Sequence, residues 1–224
     1  MAEKLTEELQ SKIEFYAFGV IPVRNSTIVT WGIMAVIMIL TLIFVRNLKL
    51  VPTKRQVVIE SLVKFIHDFI YDLVGKEGKR YIPYLGTVLI YLAISNTVGL
   101  FGFKPPTKDL NVTAGLALMS IILIEYSGIH EKKVSGYLKS FLHPTPIMLP
   151  FNILEIAIRP LALCMRLFGN IFGGFIVMEL IKIMLFQGVV PVPFSFYFDI
   201  FDGLLQAYIF VFLTSLFMQE KLEH

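Results

Sequence analysis

Apolar residues in this chain run in long uncharged blocks, and the polar residues gather in the gaps. Residues 28–45 are 18 in succession without a charge, and Arg46 closes the run. Residues 81–103 make a second uncharged run of 23. Residues 110–129 make a third apolar run, which holds one carboxylate, Glu125. A hydrocarbon core about 30 Å thick is crossed by about 20 residues of helix, so each run predicts a membrane span. Nearer the carboxyl end, stretches 146–187 and 194–218 are apolar but broken by Glu155, Arg159, Arg166, Glu179, Lys182, Asp199 and Asp202. The segment 188–193 between them (GVVPVP) is a turn signal. The two stretches read as a helical hairpin.

Residues 53–76 follow another rule. Glu60, Lys64, Asp68 and Asp72 recur every four residues, with Val, Ile, Leu and Phe between them. That predicts an amphipathic helix, lying at the membrane surface or packed against the bundle. The expected fold is an all-α integral membrane protein of about five to six membrane helices. It forms one polytopic domain over 1–224, with residues 1–27 as an external amino-terminal segment. No internal repeat, low-complexity tract or soluble domain is visible.

Basic residues in short loops set orientation. Arg46, Lys49, Lys54 and Arg55 follow the first span, Lys76, Lys79 and Arg80 precede the second, and Lys132, Lys133 and Lys139 follow the third. The opposite side has Lys104 and Lys108 in one loop and no base in 188–193. The amino-terminal tail has three bases, Lys4, Lys12 and Arg24, against four acids. The first group is therefore expected in the cytoplasm, with the amino terminus outside and the carboxyl terminus inside.

Composition agrees with a membrane protein. Hydrophobic residues make up 56% and charged residues 17%, against about 45–50% and about 25% in a typical soluble domain. Mean hydropathy is +0.73. So little charge cannot cover a globule, and it also excludes disorder. The lone Cys164 excludes a disulfide framework and a multi-cysteine metal site; no metal or cofactor is expected. A net charge of +3 is too mild for nucleic acid. The first run is too long for a leader core, and residues 1–11 carry more acids than bases. It reads as a retained span.

A charge at mid-bilayer costs about 2.5–3.5 kcal/mol on insertion scales, so it should face protein or water and mark function. At about 100° per residue, taking Arg166 as zero, Asn152 falls near about +40°, Glu155 about −20°, Arg159 about +20° and Asn170 about +40°. These five polar residues share one stripe. Glu155 and Arg159 are spaced to pair at i,i+4, and Asn170 suits interhelical bonding. Arg166 has no acid four residues to either side. Gly169 and Gly173 flank it, and small residues let another helix come close. The pattern describes a cation awaiting a carboxylate from another chain.

A second stripe runs along the last helix. Relative to Gln206, Asp199 falls near about +20°, Asp202 about −40° and Ser195 about −20°. Asp199 either lies in water near the outer surface or joins Asp202 in an aqueous cation path. An intramembrane aspartyl protease would carry its aspartates on separate helices, and there is no Gly-x-Gly-Asp. No Ser–His pair or zinc-ligand spacing is present. His67, His130, His143 and His224 read as surface residues.

The segment RPLALCMRLFGNIFGG resembles the signature of subunit a of F-type ATP synthases. Four further stretches resemble that family in order: PTKRQVVIE at 52–60, residues 94–118, residues 136–155 and LLQAYIFVFLTSLFM at 204–218. The resemblance covers nearly the whole chain.

It implies a stator subunit that is not an enzyme by itself. Two aqueous half-channels would let ions, H+ or Na+, cross only by loading onto carboxylates of a c-subunit ring. Ion flow would thereby be coupled to rotation and ATP synthesis. Arg166 aligns with the family's essential arginine, Gln206 with the glutamine that supports it, and Asn170 with the polar residue one turn beyond. The long carboxyl-terminal hairpin would be tilted and packed against the c-ring.

The family often has an acid or histidine at the position of Phe175. Glu179 lies one turn on, on the same side, and is expected to take that role. Asp199 stands where histidine or glutamate is common, so Asp199, Asp202 and Glu179 would line the outer path. Asn152, Glu155 and Arg159 would border the cytoplasmic half-channel. The implied partners are the c-ring, peripheral-stalk b subunits, the ATP synthase holocomplex and membrane lipid. The implied location is a bacterial plasma membrane. The competing expectation is a self-contained ion transporter, although no repeated halves are visible.

Overall fold

The computed structural model describes residues 13–17, 21–46, 49, 53–101, 103–140, 149–184, 193–194 and 196–223. Among the described residues, two short antiparallel strands, β1 (Ile13–Ala17) and β2 (Ile21–Arg24), precede six α-helices. The helices are α1 (Asn25–Val45), α2 (Lys54–Val74), α3 (Ile82–Thr97), α4 (Leu110–Ser140), α5 (Leu149–Met184) and α6 (Gly203–Glu223). Among the described residues, five helical stretches are long and apolar enough to cross a membrane: Asn25–Val45, Glu77–Phe101, Leu110–Lys133, Leu149–Ile181 and Phe196–Leu222. The protein is thus an all-α membrane bundle. The small β1–β2 hairpin is an element that the hydrophobic runs did not predict.

Local chemistry explains the ends. Gly75 closes α2 at φ 69°, where its N–H reaches the Tyr71 carbonyl at 2.9 Å; glycine adopts such a φ freely. Pro83 sits in the first turn of α3, where no N–H is missed. Asp109 caps α4: its carboxylate accepts the Asn111 N–H at 3.1 Å, and its carbonyl accepts those of Val112 and Thr113. Hydroxyls inside the spans bond to carbonyls one turn back, as Thr30 does to Ser26, Thr87 to Pro83 and Thr214 to Phe210. That keeps them satisfied where water is absent.

α6 is the central helix and packs against α2, α3, α4 and α5. Its Ala207, Phe210, Val211 and Met218 are buried with Ile70 of α2, Leu92 of α3, Ile124 of α4 and Leu163 and Leu167 of α5. α1 lies at the edge. Only Ser26 and Ile33 of it are buried, whereas Trp31, Met38 and Leu42 are exposed. Such a face suits lipid or another chain. α2 packs through Ile70 and Val74 but leaves Val58, Leu62 and Phe65 exposed.

Two helices depart from the bounds of their apolar runs. The second span has a regular helix only over Ile82–Thr97, lengthened by 3-10 turns at Glu77–Tyr81 and Val98–Phe101. α4 runs beyond 129 and kinks at Lys133, with φ 59° and ψ 161°. The expected turn at 188–193 lies outside the described residues except for Pro193. α5, at 36 residues, is about 54 Å long, so it must tilt or project beyond a core about 30 Å thick.

Candidate functional site

α5 continues unbroken through Pro160, and so keeps Asn152, Glu155, Arg159, Arg166 and Asn170 on one stripe. Packing treats them differently. Arg159 is 3% exposed and is clamped by two carboxylates. Its Nη2 donates to Glu155 at 2.7 Å and to both oxygens of Glu220 on α6 at 2.8 Å. The Phe217 ring lies 4.7 Å from its guanidinium. The i,i+4 pair expected from sequence is present, and Glu220 completes it. Glu220 lies fourteen residues after Gln206, near the same face of α6, and that spacing was its only signal.

About one turn on the other side of Arg166, Asn170 Nδ2 donates to Gln206 Oε1 at 2.8 Å. Gln206 is fully buried, and its Nε2 has no partner among the described residues. Gln206, the glutamine expected to support Arg166, accepts this bond from Asn170, one turn beyond the arginine.

Arg166 lies between these two cross-links, about 10 Å along the helix from Arg159 and about 6 Å from Asn170. It is exposed and makes no ion pair with any described residue. Beside it the surface is apolar: Phe151, Leu154, Ile158 and Met165 are exposed. A Cβ added at Gly169 or Gly173 would meet nothing within 4 Å. α5 thus offers one bare guanidinium at the border of a smooth, lipid-like face.

The opposite face of α5 meets the turn between α3 and α4. Pro105 to Asp109 are all buried there. Lys108 is 6% exposed, and its Nζ lies 4.1 Å from the centre of the Phe175 ring. Glu179 is half-buried one turn beyond Phe175. Thr107 donates to Asn96 Oδ1 at 2.8 Å, and Asp109 pairs with Arg24 of β2 at 3.3 Å. Asn96 in turn donates to the Gly203 carbonyl at 2.9 Å. A Cβ at Gly203 would fall 3.0 Å from the Asn96 Cβ, so a larger residue fits only if Asn96 gives way.

The stretch before Gly203 corrects one expectation. Phe196–Asp202, which carries Asp199 and Asp202, is π-helical rather than α-helical. Its wider turn means that angles taken at about 100° per residue do not hold across it. Asp202 is half-buried, and Ser195 lies outside the described residues. Of the histidines, His67 and His130 are exposed, as expected of surface residues. His143 and His224 lie outside the described residues.

A further polar cluster joins α4 and α6. The kink at Lys133 folds the chain back so that the Tyr137 hydroxyl donates to Glu125. Lys221 Nζ lies 3.9 Å from Glu125 and 5.6 Å from the Tyr137 ring centre. Burial first, and then Glu125, push the Tyr137 hydroxyl well above its usual pKa. Periodicity could not show this contact, because it depends on one non-helical residue.

Comparison with known proteins agrees with the sequence resemblance. A family model described as ATP synthase A chain matches residues 27–219. ATP synthase subunit a of Moorella thermoacetica is 33% identical over 203 residues, 90% of this chain and 92% of that one. ATP synthase subunit a 2 of a Bradyrhizobium species is 35% identical over 211 residues, 94% and 93% of the two chains. The sodium ion specific ATP synthase subunit a of Propionigenium modestum is 31% identical over 214 residues, 88% of this chain and 74% of that one.

Proposed function

This chain belongs to the ATP synthase A chain family, and from that premise we propose that it passes ions to a rotating c-ring through two offset half-channels. It is a multi-pass membrane subunit of the synthase. The observation that carries the reading is Arg166, exposed and without an ion pair among the described residues on an apolar, glycine-smoothed face. A bare guanidinium in a membrane is costly unless a partner supplies an anion. A ring carboxylate arriving in its deprotonated form does so.

One charge falling through 100 mV releases about 2.3 kcal/mol. That energy is captured only if the ion cannot cross directly. Glu179, Asp199 and Asp202 would bring it from outside to a ring carboxylate. Arg166 would attract the empty carboxylate, repel the cation, and so bar the short circuit. After rotation the ion would leave beside Asn152 and Glu155. The Arg159 clamp and the Asn170–Gln206 bond hold α5 against α6 on both sides of Arg166, which fixes where the guanidinium points. The ion is H+ or Na+, and the Na+ dependence of uptake decides between them. The bases after α1, before α3 and near the carboxyl end of α4 support a cytoplasmic position for those ends, in the plasma membrane of a bacterium. There they and α1 would meet the peripheral-stalk b subunits.

The test is ATP-driven ion uptake in inverted vesicles carrying Arg166→Ala, beside wild type at equal complex assembly. Loss of uptake with assembly intact is expected. Uptake at the wild-type rate would make Arg166 a structural cation only. In mild detergent the chain is expected to travel in the large complex; a self-contained transporter would travel alone or as a homo-oligomer.

A further inference from the structure

We propose that Lys108 is a positioning residue that sets how tightly the outer path holds its ion. Its fixed ammonium, seated over Phe175, weakens cation binding at Glu179 so that the ion moves on toward the ring. This rests on the reading of Glu179 as the outer acid.

The placement of Lys108 is unusual for a loop lysine. It is 6% exposed, in a turn whose residues from Pro105 to Asp109 are all buried. The turn is tied down on both sides. Thr107 bonds to Asn96, and Asp109 is held by Arg24 and by its capping of α4. The turn that carries Lys108 is therefore held against α5, with the lysine packed into it. Its Nζ is 4.1 Å from the Phe175 ring centre, a cation–π contact. α5 places Glu179 one turn beyond Phe175 on the same side, and neighbours at that spacing have Cβ atoms about 5–6 Å apart.

A charge so little exposed is weakly screened, and its field at a group one turn away is strong. The other charged groups on the surrounding elements are Lys104 before the turn, Asp109 with Arg24, Lys182 on α5, and Asp199 and Asp202 on the π-helical stretch. Conduction needs sites that bind well enough to fill and weakly enough to empty. A run of carboxylates alone would hold a cation, and one fixed positive charge beside the run speeds its release.

The test measures ATP synthesis in vesicles as a function of the ion concentration on the outer face, in the assembled complex. Lys108→Met should lower the half-saturating ion concentration by roughly tenfold and lower the maximal rate, because release slows. Lys108→Arg should restore both values. If Lys108→Met does not assemble, Lys108→Gln serves in its place. An unchanged half-saturation in the Met or Gln variant would overturn the inference. So would an Arg variant displaced as far as the neutral one, since charge would then not be the cause. Glu179→Gln separates the two ideas. If it keeps the wild-type rate and half-saturation, the reading of Glu179 fails and this inference with it. If it loses transport while Lys108→Met behaves as wild type, the inference alone fails.

Discussion

Asn170 on α5 and Gln206 on α6 are joined by one hydrogen bond of 2.8 Å, and the Gln206 side chain that accepts it is completely buried. Losing Asn170 would leave the whole amide of Gln206 without a partner among the described residues. A buried polar group left unpaired costs about 1–3 kcal/mol. Asn170→Ala should therefore lower the thermal stability of the purified complex by an amount of that order. Adding Gln206→Leu should recover part of the loss, because replacing both partners by apolar groups removes the penalty. Additive losses in the double variant would show that the bond does not couple the two helices.

The Arg159 clamp makes a second prediction. Arg159 is nearly buried, whereas Glu155 and Glu220 are each about half exposed. Arg159→Met keeps the packing on Phe217 and leaves two carboxylates that water can reach. The expected cost is on the order of 1–3 kcal/mol, below that of a fully buried pair. It should appear as complex lost at lower temperature, with slower transport in the complex that survives, because α5 is then held against α6 on only one side of Arg166. A stability equal to wild type would mean that the clamp contributes nothing.

The glycine-lined border of α5 separates folding from assembly. Nothing lies within 4 Å of a Cβ at Gly173. Gly173→Phe should therefore leave the isolated subunit folded and stable in detergent. A ring seated on this face would meet the new side chain, so less ring should co-purify with the variant. Undiminished co-purification would place the ring elsewhere.

Tyr137 gives a prediction in pH. Burial and the Glu125 carboxylate raise its folded value above that of an ordinary tyrosine. A group raised on folding adds stability that is fully present below its unfolded value and is lost as pH climbs through the folded one. The Tyr137–Glu125 contact should thus hold at neutral pH and begin to fade only above about pH 10. In an ultraviolet difference titration, Tyr137 should ionise after the exposed tyrosines. Tyr137→Phe should remove that late component, and a titration unchanged by the substitution would refute the assignment.

Much of this arrangement is legible in the chain because the membrane imposes simple lengths. The runs at 28–45, 81–103 and 110–129 had to be spans, and Glu155 with Arg159 had to be neighbours once their helix formed. Glu220 was harder, being 61 residues from Arg159; only knowledge of which faces meet brings it in. Tyr137 reaches Glu125 because Lys133 leaves helical geometry, and no period encodes one such residue. Lys108 reads as a loop base until the burial of its turn is seen. The short β1–β2 hairpin has no long apolar run to announce it.

The π-helical turn at Phe196–Asp202 works as a phase shifter in the last span. Bonds that skip five residues rather than four take up one extra residue per turn, so the sequence ahead of Gly203 is set back by about one residue, roughly 100°, against the sequence after it. Phe196, Tyr197 and Phe201 are exposed along it, while Gly203 and Gln206 stay locked to Asn96 and Asn170. The two halves of the span are thereby indexed separately. The polar side of the outer half can be tuned by a change of length in this turn, with the register beside Arg166 left undisturbed.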